Sequence, residues 1–151
     1  MLPEPPAKDE NGKTLPHDHE AITDDDVLIR RISDKQIANY PNGVRKVSSM
    51  AFKPSSGVNE GMSVDIERFI RNDERDPCEW VTTPRWYGSL QIRVQPLRRA
   101  DLLVGYDPIL PDNPYHGQVW GQGKGFTKAQ QNTLRGNSTW FVEIPGVSIV
   151  E

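Results

Sequence analysis

Residues 89–95, SLQIRVQ, alternate apolar and polar side chains without a break: Leu90, Ile92 and Val94 share one parity, Ser89, Gln91, Arg93 and Gln95 the other. A two-residue period is that of an extended strand. Strict alternation places one face on a core and leaves the other wet, which suits an antiparallel or mixed sheet. Pro96 ends the run. Thirteen prolines and twelve glycines cut the rest of the 151 residues just as short, so brief elements and many turns are expected rather than a helix bundle. A chain of this length buries a core without metals or disulfides. The expected fold is a single small α+β domain, with a mixed, mostly antiparallel sheet of about five to six strands and about two or three short helices.

Residues 1–21 are rich in proline and charge and almost free of large apolar side chains. An arm of that composition cannot repay its ordering entropy by burial, so it is expected to be extended or disordered, with the domain occupying 22–151. VLIRRI, 27–32, is β-branched and short and reads as a strand. Its period sends Arg30 and Arg31 to opposite faces, one of them inward or snorkelling at a sheet edge. Ser33 and Gln36 have capping-box spacing, predicting one or two helical turns in SDKQIANY. Asn42-Gly43 is a tight turn. VRKVSSMAF, 44–52, alternates weakly and reads as an inner strand covered on both faces. Ser63 reads as the N-cap of a helix over 64–71, with Asp65 and Glu67 complementing its dipole. A short strand is expected near 80–82, another from 101, a helix over 128–135 opened by the Thr127/Gln130 capping box and stopped at Gly136, and a last strand over 138–144.

Several function classes recede. A formal net charge of −3 gives no basic face for a nucleic acid. No apolar run reaches the ~18–20 residues of a membrane helix, and MLPEPPAKDENGK has no apolar core of a secretory signal. The single cysteine, Cys78, allows no intrachain disulfide and reads as a buried or half-buried apolar residue in a cytoplasmic protein. His17 and His19 form an H-x-H pair, but two ligands on a flexible arm fall short of the three or four that a metal needs, so no metal is expected. GQGKG, 121–125, lacks the spacing of a phosphate-binding loop and reads as a turn.

The densest chemistry lies in 102–122, LLVGYDPILPDNPYHGQVWGQ: a strand, a loop stiffened by Pro108, Pro111 and Pro114, and a second strand. The loop carries Asp107, Asp112, Asn113 and His116. A carboxylate orienting an imidazole is a usual acid–base arrangement and also a common structural hydrogen bond. Asp107, His116 and Arg31 are therefore the catalytic candidates, and Arg30, Ser48, Ser49 and Asn113 the ligand-binding ones.

The succession LIRRI, NGVRKVSSMAF, GMSVD and DP-x-x-P-x-NP-x-H, over 27–65 and 102–121, resembles a group of small bacterial proteins with no assigned activity. A remoter similarity is to ADP-ribosyltransferase-like domains, including the RES-type toxins. That similarity implies an anchoring Arg30 or Arg31 for the dinucleotide, Ser48 with Ser49 supporting the nicotinamide pocket, and Glu143 polarising the ribose. Two functions stand. The first is a bacterial cytoplasmic binding or accessory module, without cofactor, that meets a protein partner or a small ligand. The second is an enzyme handling NAD or another nucleotide.

Overall fold

The computed structural model describes residues 2–123 and 125–150. In chain order the strands are β1 (Val27–Ile32), β2 (Ile37–Asn39), β3 (Arg45–Val47), β4 (Met62–Ile66), β5 (Gly88–Arg93), β6 (Leu103–Tyr106), β7 (His116–Trp120), β8 (Ser138–Val142) and β9 (Val147–Ser148). The helices are α1 (Glu67–Asn72), α2 (Pro77–Val81), α3 (Val94–Arg99) and α4 (Lys128–Gly136). Six strands form the main sheet in the order β6-β7-β4-β1-β5-β8, every neighbour antiparallel. A smaller sheet, β2-β3-β9, pairs β3 with β9 in parallel. The fold is α+β with a mixed, mostly antiparallel sheet.

Alternation makes β5 as expected at its polar end: Leu90 and Ile92 are buried, Gln91 is half-buried and Arg93 exposed. Ser89 departs from the pattern, being fully buried with no hydrogen-bond partner for its hydroxyl. The strand stops at Arg93 because Pro96 falls in the first turn of α3, where its missing N–H costs nothing. Val94 and Leu97 of α3 and Phe69 and Ile70 of α1 join Leu28, Ile66, Leu90 and Ile92 in one core. Each such fully buried aliphatic stabilises the fold by about 1.5–3 kcal/mol.

Four segments differ from the sequence reading. Residues 62–66 are a strand and the helix begins only at Glu67, so Ser63 caps nothing and Asp65 belongs to the sheet. Residues 44–52 give a three-residue strand and then a 3-10 turn over Ser49–Phe52, because the Ser48 side chain accepts the Met50 N–H and starts a turn. Ser33 and Gln36 do form their capping box, but it closes a single 3-10 turn before β2. The expected strand at 80–82 is helix α2, nucleated by Asp76 accepting from the Cys78 N–H with Pro77 at the first helical position. Cys78 itself is exposed rather than buried.

The segment from Thr14 to Ile22 lies along the outer edge of β6. The Val104 N–H donates to Asp18 at 3.1 Å, the His19 N–H to the Val104 carbonyl at 2.9 Å, and the Tyr106 N–H to His17 Nε2 at 3.1 Å. Arg98 clamps the same segment through Asp18 at 3.0 Å and Asp24 at 2.8 Å. Gly105 makes room for it: a Cβ there would stand 2.7 Å from the His17 carbonyl oxygen and 2.5 Å from the Trp120 ring.

The main sheet is irregular at its centre. Strand β1 pairs with β5 over its whole length, Val27↔Arg93 to Ile32↔Gly88. It pairs with β4 only at Leu28↔Ile66 and Ile29↔Asp65. Strand β4 meanwhile continues along β7 from Asp65↔His116 to Met62↔Val119. Beyond Ile29 and Asp65 the two central strands therefore diverge and leave a crevice.

Candidate functional site

The crevice is a cavity of about 200 Å³ whose walls include Arg30, Arg31, Asp65, Asn113 and His116. Register explains the meeting. Asp65 and His116 are direct cross-strand partners, so their side chains share a face. Arg31 lies two residues past Ile29, the partner of Asp65, and so falls on that face too. Trp86 and Ile109 add apolar wall.

Asp65 is the hub. Its carboxylate receives Arg31 Nε at 2.8 Å and Nη2 at 3.1 Å, a two-pronged pairing, and Asn113 Nδ2 at 2.8 Å. Its side chain is only 4% exposed, against 24% for Arg31. Asn113 is held in turn, its Oδ1 accepting from Trp80 Nε1 at 3.3 Å and the Tyr115 N–H at 3.2 Å. The loop residue is thus fixed by helix α2 on one side and the sheet on the other.

His116 is buried. Its Nδ1 lies 2.7 Å from the Asp107 main-chain carbonyl and 3.5 Å from the Asp107 carboxylate. A hydrogen on Nδ1 satisfies that carbonyl and leaves Nε2 as the acceptor nitrogen, with no partner among the described residues. Asp107 sits behind the ring, where its carboxylate accepts Thr14 Oγ1 at 2.6 Å and Gln118 Nε2 at 2.5 Å. Burial works against its ionisation, but the hydrogen bonds from His116, Thr14 and Gln118 outweigh it and hold the carboxyl well below the usual carboxylate range. Asp107 orients the imidazole through its main-chain carbonyl, and its carboxylate is a fixed anion beside the ring with no proton to exchange near neutral pH.

Arg30 and Arg31 take opposite sides of β1, as their spacing predicts. Arg30 faces inward, opposite Leu90, on a central strand and not at a sheet edge. Its Nε donates to the Ala51 carbonyl at 2.9 Å and its Nη1 to the Ser63 carbonyl at 3.0 Å. Burial pulls the guanidinium down to about 10, which still leaves it charged at neutral pH. No carboxylate pairs with it among the described residues.

Of the residues singled out in the sequence, Arg30, Arg31, Asn113 and His116 line the crevice, with Asp107 behind His116. Ser48 and Ser49 do not join them. Ser48 caps the 3-10 turn, and Ser49 lines a separate hollow with Phe52 and Arg135. Glu143 is exposed past the end of β8, at the sheet's far edge. Asp65, Trp80 and Trp86 were not anticipated as site residues. The alternation of Met62, Val64 and Ile66 around Ser63 and Asp65 was the signal for Asp65, and helix-start chemistry masked it.

A larger cleft of about 800 Å³ opens between the 53–61 loop and the turn after β7, with Trp120, Phe126 and Val58 in its walls. Among the described residues its charged lining is Lys53 and Glu60, and Glu60 is already paired with Lys13. It is roomier but poorer in chemistry than the crevice. Among the described residues, no group of three or more His, Cys, Asp or Glu side chains is placed to hold a metal ion. His17 and His19 point their ring nitrogens at the backbone instead, His17 Nδ1 at the Leu15 carbonyl and His19 Nδ1 at the Ala21 N–H. No helix of the described residues is long and apolar enough to cross a membrane. Comparison of the chain with protein-family models, with curated proteins and with solved structures finds no match.

Proposed function

We propose that this chain is a small binding module of the bacterial cytoplasm, and that its ligand is a small molecule held in the crevice between β1 and β4. The observation that carries this reading is the convergence of Arg30, Arg31, Asp65, Asn113 and His116 on one cavity at the single place where the central strands part. Strand divergence in mid-sheet forfeits ladder hydrogen bonds, and here the opened backbone is occupied by oriented polar side chains instead of apolar filling. The exposed Cys78 thiol suits a reducing compartment.

The alternative, an enzyme handling NAD or another nucleotide, draws on His116, whose free Nε2 and fixed Nδ1 suit a general base. Size counts against it. The crevice measures about 200 Å³, below the ~300–1,000 Å³ of pockets that enclose a whole drug-sized ligand, so it receives one functional group and not a dinucleotide. The separation of Ser48, Ser49 and Glu143 from the crevice weighs the same way.

A small-fragment screen read by amide chemical shifts tests both readings, with NAD and ATP as separate arms. Fragments that move resonances of residues 30–32, 63–65 and 109–116 together support the crevice. Fragments that bind only around Trp120 and Phe126, or nowhere, overturn it. A shift of the crevice by NAD, lost in His116→Ala, favours the enzyme.

A further inference from the structure

We propose that the crevice selects small carboxylic acids, the carboxylate meeting Arg30 and the acid's short apolar tail lying against Trp86 and Ile109. This rests on the crevice being the ligand site.

The walls carry two guanidinium groups and one carboxylate. Arg31 and Asp65 neutralise each other through the two-pronged pairing. Asp107 behind His116 is already served by Thr14 and Gln118. That leaves Arg30, a cation on the inward face of a central strand. A guanidinium has five N–H donors in a planar fork. Arg30 uses its Nε and one on Nη1, both toward main-chain carbonyls, which are dipoles and carry no net charge. Its remaining donors have no partner among the described residues. A half-buried cation without a counter-ion exerts a stronger electrostatic demand for an anion at that spot than a surface arginine does.

The demand is for one negative charge. A monovalent carboxylate balances Arg30, whereas a phosphate dianion would leave surplus negative charge close to Asp65. The cavity of about 200 Å³ also matches a small head group with a short tail. His116 lines the same walls, and Ile109, 47% exposed, stands at the mouth.

The test compares sodium butyrate with butyramide, its uncharged near-isostere, and with inorganic phosphate, following the Arg30 side-chain Nε–H and the amides of 30–32 and 63–65. Butyrate is expected to bind at least about tenfold more tightly than butyramide, the scale of one charge-assisted hydrogen bond. Arg30→Gln keeps donors for the Ala51 and Ser63 carbonyls but removes the charge, so it should abolish that preference; Arg30→Lys should retain part of it and guards against a folding defect in Arg30→Gln. Equal binding of butyrate and butyramide overturns the charge assignment while leaving the crevice as the ligand site. Phosphate binding more tightly than butyrate overturns the carboxylate assignment. No shift of these residues with any of the three overturns both the assignment and the site.

Discussion

Arg31→Ala removes one half of the ion pair that closes the crevice. Asp65, 4% exposed in the intact pair, keeps its Asn113 donor but loses both guanidinium contacts. Removing one partner of a buried pair costs about 3–5 kcal/mol, against about 0–1 kcal/mol for a surface pair. Arg31 is 24% exposed, so water can reach the vacated space, and the low end of the buried range, about 3 kcal/mol, applies. For a domain of this size that lowers the melting temperature by about 6–12 °C. Urea unfolding at pH 7 should show a lower midpoint with an unchanged slope. Asp65→Asn should cost less, because the amide still accepts from Asn113, and the Arg31→Ala/Asp65→Asn double variant should be less destabilised than the sum of the two singles by at least about 1 kcal/mol. A cost for Arg31→Ala below about 1 kcal/mol, with additive singles, would place the pair in the surface class and refute the reasoning that the crevice is desolvated.

Three further outcomes are expected. Thr14→Val removes a donor that keeps Asp107 ionised; a carboxylate with a lowered folded value contributes stability that is full above the unfolded value of about 3.9 and is lost as pH falls, so this variant should unfold at a higher pH during acid titration. Burial, and secondarily the neighbouring His17, favour the neutral form of His19, while Glu20 and Asp18 oppose the shift; Arg98 and Asp24 complete the charges facing the segment. Stability from the neutral His19 is therefore full above an ordinary imidazole value of about 6.5 and falls below it, and hydrogen exchange at the Val104 amide should accelerate between pH 7 and pH 5 ahead of the core strands. Gly105→Ala places a methyl against His17 and Trp120; it should cost about 1–3 kcal/mol and render residues 14–22 sensitive to brief proteolysis.

What the sequence disclosed tracks the range of the interactions. Local signals were readable: the alternation of Leu90 and Ile92, and the Thr127/Gln130 capping box, which forms with the Thr127 hydroxyl accepting the Gln130 N–H at 3.1 Å. Segment 62–71 was misread because Ser63, Asp65 and Glu67 carry helix-start chemistry while Val64, Ile66, Phe69 and Ile70 fit a helical face. Pairing with β1 and β7 decides that segment, and those partners lie far off in sequence. The candidate site divides in the same way. Arg31, Asn113 and His116 were visible as residue types on a strand and a proline-stiffened loop. Their hub was not, since Asp65 stands 34 positions from Arg31 and 48 from Asn113, and nothing local marks such a register. Ser48 drew notice for its chemistry but is spent on starting a turn.

The segment along β6 gives the chain a particular order of events. Its anchoring hydrogen bonds join residues 86 and 89 positions apart, so residues 14–22 find their seat only once β6, later in the chain, is in place. Until that segment seats, the six-stranded sheet is bare along β6. An uncovered flank of unpaired N–H and C=O groups invites a second chain to add a strand. Closure of that flank competes with dimer and aggregate formation: slowing it, by acid or by bulk at Gly105, should raise concentration-dependent losses on refolding beyond what the lost stability alone accounts for.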